Sequence, residues 1–159
     1  MMRNILSLFF CAIVVAAALG VPVNAGADAP RLTTELIQQV LNAAVAKANA
    51  IKVPMGISIV DQGGNLVGFI KMEGTFVHTN YTSFSKAYTA VSVRRATHQM
   101  RIPPQIMAEI ASTTGGKFTS LPGGFPLLVD GQVIGGIGVG GGNAEEDVAV
   151  AGAGATAVK

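Results

Sequence analysis

Phe125-Pro-Leu-Leu-Val-Asp130-Gly-Gln-Val-Ile-Gly-Gly-Ile-Gly-Val-Gly140-Gly-Gly142 is the stretch on which the reading of this chain turns. Two apolar runs, Phe125 to Val129 and Gln132 to Val139, flank an Asp130-Gly131 pair. An Asp-Gly pair between apolar runs marks a tight hairpin, because both turn residues must take positive φ. Three glycines then lead into a helix capped by Asn143, with Glu145, Glu146 and Asp147 in its first turn, where acids suit the helix dipole. The C-terminal third therefore reads β-β-α.

The same grammar recurs upstream. Met55 to Val60 and Leu66 to Met72 are strands around the turn Asp61-Gln62-Gly63-Gly64-Asn65. Before them, Leu32 to Ile51 is a helix, capped by Thr33 or Thr34, with Ile37, Val40, Leu41, Ala44, Val45 and Ala48 on one stripe. A second helix starts at Thr79 or Asn80 and runs to about Met100, with Phe84, Ala87, Tyr88, Val91 and Arg95 on one face. Pro103 ends it, since the residue before a proline avoids helical backbone. A short third helix spans Gln105 to Ala111, Thr113 to Ser120 is loop or edge strand, and Leu121 to Gly124 is a sharp turn. Gly152 and Gly154 each cost about 1 kcal/mol in a helix, so the last helix is expected to fray. The order α-β-β-α-α-β-β-α argues for an α+β domain, an antiparallel sheet with helices packed beside it.

Composition bounds the function. The chain has 159 residues, 13% charged, against roughly 25% in an average soluble protein. A net charge of +2 makes a poor electrostatic case for nucleic acid. One Cys excludes a disulfide framework and a Cys-based zinc cluster, and two His residues 20 apart give no metal spacing, so no metal site is expected. Eleven of the 20 glycines fall between Gly115 and Gly142.

Residues 1–25 read as a secretory signal peptide, with the cut as late as residue 29. Arg3 is a basic start, Ile5 to Leu19 is an apolar run broken only by Ser7, and small residues follow Pro22. A run of fifteen residues is short for a span of about 20, so no stable membrane span is expected after processing. Cleavage leaves one domain, residues 26–159, without Cys, and places it in the periplasm or outside the cell.

Five motifs in order carry a family pattern: Pro54-Met-Gly-Ile-Ser-Ile-Val-Asp61-Gln-Gly-Gly64, Lys86-Ala-Tyr-Thr-Ala90, Leu121-Pro-Gly-Gly-Phe-Pro-Leu127, Gly135-Gly-Ile-Gly-Val-Gly-Gly-Gly142, and Glu146-Asp147. Over about residues 32 to 157 the chain resembles the GlcG/HbpS family, also seen as the C-terminal domain of PduO-type proteins. The resemblance implies a profilin-like fold, a five-stranded antiparallel sheet with flanking helices, and a homo-oligomer. It implies a pocket for a small ligand: secreted members bind haem, others accompany organic-acid or aromatic catabolism. Whether this chain is an enzyme stays open.

Candidate ligand-binding residues are Lys86, Gly123, Gly124, Asp61, Glu146 and Asp147. Lys86 would meet an anion as a point charge. Gly123 and Gly124 let backbone N–H groups approach a ligand, and by resemblance their loop lines the pocket. Asp61 is equally a turn residue making its own backbone bonds. Asp147 matches the family's acid after the glycine turn and would equally serve the helix dipole. The Gly135 to Gly142 run either allows close strand–helix packing or walls a ligand at a helix N-terminus. It lacks the Lys-Ser/Thr of a phosphate loop. For haem or acid–base chemistry the candidates are His78 and His98, with Arg94 and Arg101 for propionates; on a continuous helix Arg94, His98 and Arg101 share a face. No nucleophile signature marks a catalytic residue. The leading expectation is a secreted haem-binding protein. The alternatives are an enzyme or accessory acting on a small organic acid, and an oligomeric scaffold or sensor accessory.

Overall fold

A computed structural model describes residues 30–158, so the signal-peptide segment lies outside the described residues. Four helices and four strands follow in the order α1 (Thr34–Ile51), β1 (Gly56–Asp61), β2 (Leu66–Lys71), α2 (Thr79–Val93), α3 (Pro104–Thr113), β3 (Gly124–Val129), β4 (Gln132–Gly140) and α4 (Ala144–Ala155). The strands form one antiparallel sheet in the order β2-β1-β4-β3. The expected α+β architecture is present, with four strands rather than about five. Between α2 and β3 the chain makes a short 3-10 turn (Thr97–Gln99), α3 and an irregular run. Phe118 of that run is buried and the Thr119 N–H donates to Thr89 Oγ1 on α2, so the segment docks on a helix instead of extending the sheet.

Strand register sorts the two faces. Ile57 and Ile59 stand beside Val139 and Ile137, and these four side chains join Val40, Leu41, Ala44 and Ala48 of α1 and Val150 and Ala151 of α4 in the main core. The opposite face carries Gly56, Ser58 and Val60 beside Gly140, Gly138 and Gly136. α2 lies on that nearly bare strip. A Cβ on Gly138 would collide with the Ser83 carbonyl oxygen and the Ala87 nitrogen, and one on Gly136 would stand 2.6 Å from Val91 Cγ2. Close packing is therefore what Gly136 and Gly138 provide. Serines fill the remaining seam: Ser58 and Ser83 share a hydroxyl hydrogen bond of 2.7 Å.

The helix ends follow local chemistry with two exceptions. Thr33 accepts from the Leu36 N–H at 3.3 Å, and Asn143 and Glu146 form a reciprocal capping box on α4. Asp130 and Gly131 both have positive φ, 50° and 75°, as the hairpin turn requires. The first exception is α2, which stops at Val93, short of Met100. Arg94 turns left-handed (φ 52°) and its N–H closes on the Ala90 and Val91 carbonyls. Beyond it Thr97 is buried, its hydroxyl accepting from the Gly124 N–H at 3.0 Å, so the chain after the cap is held against β3. The second is the Gly-rich tail, which stays helical to Ala155 because buried Gly154 lets α4 approach Ile137 and the Val40 carbonyl.

The Asp61 turn is held by its own carboxylate. Oδ1 accepts from the Gly63 and Asn65 N–H groups at 2.8 and 2.9 Å, and Oδ2 from Asn65 Nδ2 at 3.0 Å. These bonds, the Asn65 side chain foremost, lower the Asp61 pKa from its ordinary 3.8. A lowered carboxyl contributes stability above the unfolded pKa, lost as pH falls through the folded one. Asp61→Ala is expected to cost about 1–2 kcal/mol at neutral pH. Urea denaturation checks this, with the gap between variant and parent narrowing in acid.

Candidate functional site

Where the N-terminus of α2 meets the end of β4, a cleft of about 240 Å³ opens. Phe76, His78 and Thr82 line it from the start of α2, Leu121 from the loop before β3, and Gly140, Gly141 and Gly142 from the strand end, with Lys86 and Asp147 also reaching it. The mouth is apolar. Of its lining Phe76 is 60% exposed and Leu121 44%, and the His78 ring stacks on Phe76 at 5.5 Å with an interplanar angle of 11°; Val77 and Tyr81, nearby in the chain but outside the lining, are 72% and 74% exposed. Adjoining large apolar side chains left in water mark binding surfaces more than scattered ones do.

Beneath this mouth sits a buried ion pair. Lys86, 4% exposed, donates from Nζ to Asp147 Oδ2 at 2.6 Å and to the Val139 carbonyl at 2.7 Å. Asp147, 5% exposed, also accepts the Gly142 N–H on Oδ1 at 3.0 Å. Burial pushes the Asp147 pKa up, opposed by the Lys86 ammonium and by the Gly142 bond. The pair ties α2, β4 and α4 together at one point. The cation therefore already has a counter-ion, and the N-terminus of α4 is occupied by the protein's own groups. Glu146 accepts from the Asn143 N–H at 2.8 Å, and the Glu146 N–H donates to Asn143 at 2.9 Å.

The candidate residues thus scatter. Lys86, Asp147 and His78 converge on the cleft, whereas Glu146 caps α4 and Asp61 holds its own turn. Gly123 and Gly124 do not line the cleft. A Cβ on Gly123 would stand 2.8 Å from Asp147 Cβ, and one on Gly124 would strike the Lys86 carbonyl, so both glycines let neighbouring protein pack closely. The shared face of Arg94, His98 and Arg101 does not form, because α2 ends before it. Arg94 is the left-handed cap, His98 lies in the 3-10 turn 5.3 Å from the Phe125 ring, and Arg101 follows in exposed chain, its guanidinium donating to the Met100 carbonyl. Phe76 and Thr82 carry no mark in the sequence and Leu121 enters only as the start of the Leu121-to-Leu127 motif; the fold alone shows Phe76 and Leu121 in water. Thr75 adds a further feature: its hydroxyl oxygen is buried without a hydrogen-bond partner, against Gly141. Among the described residues no three His, Cys, Asp or Glu side chains gather as a metal site, and no helix is long and apolar enough to cross a membrane.

Comparison with known proteins matches this geometry to a family. A family model described as haem degrading protein HbpS-like matches residues 32–156. The chain is 35% identical over 119 residues to an uncharacterized 15.0 kDa protein of the dhaT-dhaS intergenic region of Citrobacter freundii, covering 73% of this chain and 84% of that one. It is 32% identical over 108 residues to protein GlcG of Escherichia coli K12, covering 68% and 80%. Among solved structures, a PduOC:haem complex superposes with a TM-score of 0.73 at 29% identity, covering 82% of this chain and 96% of that one. A sequence match across the whole sheet and all four helices, with the same fold in a solved relative, places this chain in the HbpS-like family.

Proposed function

We propose that this protein binds haem, with the cleft between α2 and the β4 end as the site. One observation carries the reading: a histidine stacked on an exposed phenylalanine at the mouth of a cleft, with Val77, Tyr81 and Leu121 also in water. A flat macrocycle needs an apolar surface and an axial donor, and here Phe76 and Leu121 supply the first and His78 the second. The haem complex of the PduOC relative supports the assignment. Bound haem would supply a redox-active iron with axial positions open to donors. At about 240 Å³ the cleft is smaller than the 300–1,000 Å³ that encloses a drug-sized ligand, which suits a ligand held along one part and open on the rest. An organic-acid clamp built on Lys86 fits less well, because Asp147 already neutralises that ammonium.

Titrating the purified protein with hemin tests the reading. A saturable Soret shift at micromolar protein is expected, and His78→Ala is expected to move the band or weaken binding at least tenfold. No Soret change would remove haem. The proposal extends to location and assembly. Export with loss of the first 25 to 29 residues is checked by the intact mass of the exported protein, and a homo-oligomer by light scattering.

A further inference from the structure

At the opposite end of α2 lies a larger groove, about 820 Å³, lined by none of the residues of the Phe76–His78 cleft. Its walls come from the turn after β1, the last turn of α2 and the tip of the β3–β4 hairpin. That volume falls in the range of sites that enclose small organic ligands. Its chemistry is two-sided. Val91 and Val133 belong to the apolar cluster under α2, and Leu128 reaches the groove from an exposed position. The Tyr88 ring lies against Gly64, where an added Cβ would come within 2.8 Å of ring carbons, so a bare glycine seats an aromatic wall.

Charge is concentrated at one point. Arg94 is the one lining residue with a full charge. Its backbone is held left-handed by the N–H bonds to the Ala90 and Val91 carbonyls, which fixes where the side chain starts. A second cation, Lys117, sits over the Tyr88 ring at 5.9 Å from its centroid. The nearby Asp61 carboxylate is turned into its own hairpin and already accepts three N–H groups through two oxygens.

We propose that this groove binds a small organic anion with a flat apolar body. Its ring lies along Tyr88 and Leu128, and its carboxylate meets the Arg94 guanidinium, whose planar fork matches a carboxylate bidentately. The proposal does not depend on haem binding at the other end of α2.

The probe is 1-naphthoate, followed by backbone amide chemical shifts in the purified protein, with inorganic phosphate as a bodiless anion. Saturable binding is expected, with shifts gathered at Gly63, Gly64, Ser92 and Gly131 and much weaker binding of phosphate. Arg94→Asn removes the charge and keeps a residue that tolerates left-handed backbone; it should weaken naphthoate at least tenfold. Leu128→Glu, on the exposed hairpin, should do the same by placing a like charge beside the ligand. Unchanged affinity in both variants, shifts gathered at Phe76 and Leu121, phosphate binding as tightly as naphthoate, or no saturation at millimolar naphthoate would each overturn the proposal.

Discussion

Lys86→Met is expected to lower the free energy of unfolding by about 3–5 kcal/mol at neutral pH, the range found when one partner of a buried ion pair is removed. The substitution leaves the Asp147 carboxylate buried at the junction of α2, β4 and α4 with the Gly142 N–H as its remaining partner, and it strips the Val139 carbonyl of its ammonium donor. Burial already raises the Asp147 pKa with Lys86 present; without the ammonium nothing but the Gly142 bond opposes that rise. The sign of the pH dependence follows. A raised carboxyl takes up its proton in the folded state at a pH where the unfolded chain, near the ordinary 3.8, has not. Its protonation therefore favours the native state, and the variant should recover stability as pH falls from neutral toward that value. Denaturant titrations across this pH range check both magnitude and direction. Adding Asp147→Asn removes the unpaired charge and should return at least half of the loss. A double variant as unstable as the single one would mean that the packing of the lysine stem, not the charge, holds the junction.

A pair of glycine substitutions separates packing from helix propensity. Gly138→Ala is expected to cost about 3 kcal/mol or more, toward the upper end of overpacking effects. The added methyl would press on the α2 backbone at Ser83 and Ala87, and backbone cannot step aside as a flexible side chain can. At roughly 4 °C per kcal/mol for a domain of this size, the midpoint should fall by about 12 °C. Gly152→Ala, on α4, should do the reverse. Its Cβ would meet only Phe125 Cζ, at an ordinary 3.6 Å, while the helix gains up to about 1 kcal/mol of propensity. Thermal unfolding of the two variants, one mutation type with opposite signs, tests whether the β4 glycines are a seat for α2. A Gly138→Ala protein that melts within a degree of the parent would refute it.

The division of labour between sequence and structure is visible in these two sites. Hairpins, caps and the α1 stripe were readable because they are local. An Asp-Gly pair needs only its own φ angles, Asn143 and Glu146 sit three residues apart, and apolar spacing reports one buried helix face. The α+β class followed from the order of such elements. Where local and tertiary demands diverge, local spacing no longer reports the structure. Nothing in the spacing near Arg94 announces a helix end: a non-glycine residue takes the left-handed cap there, and the chain beyond it is held by a bond between Thr97 and Gly124, 27 residues apart. The fifth expected strand is absent for the same kind of reason: Phe118 is buried and the Thr119 N–H donates to Thr89 on α2 instead of to the sheet.

Local spacing thus reports the order of the elements, both hairpins, the two candidate histidines and the unusual glycine run, since each rests on backbone conformers within a few residues. What those residues do depends on the packed fold. The glycines of β4 at 136 and 138 became the surface on which α2 rests. Lys86 and Asp147, 61 residues apart, became one neutral pair rather than a free cation awaiting a ligand. Phe76 and Val77, which composition would place in a core, stand in water around His78. Burial and pairing are properties of the packed chain: a charge's counter-ion and an apolar group's exposure depend on which distant segment arrives beside it, and no local spacing records that.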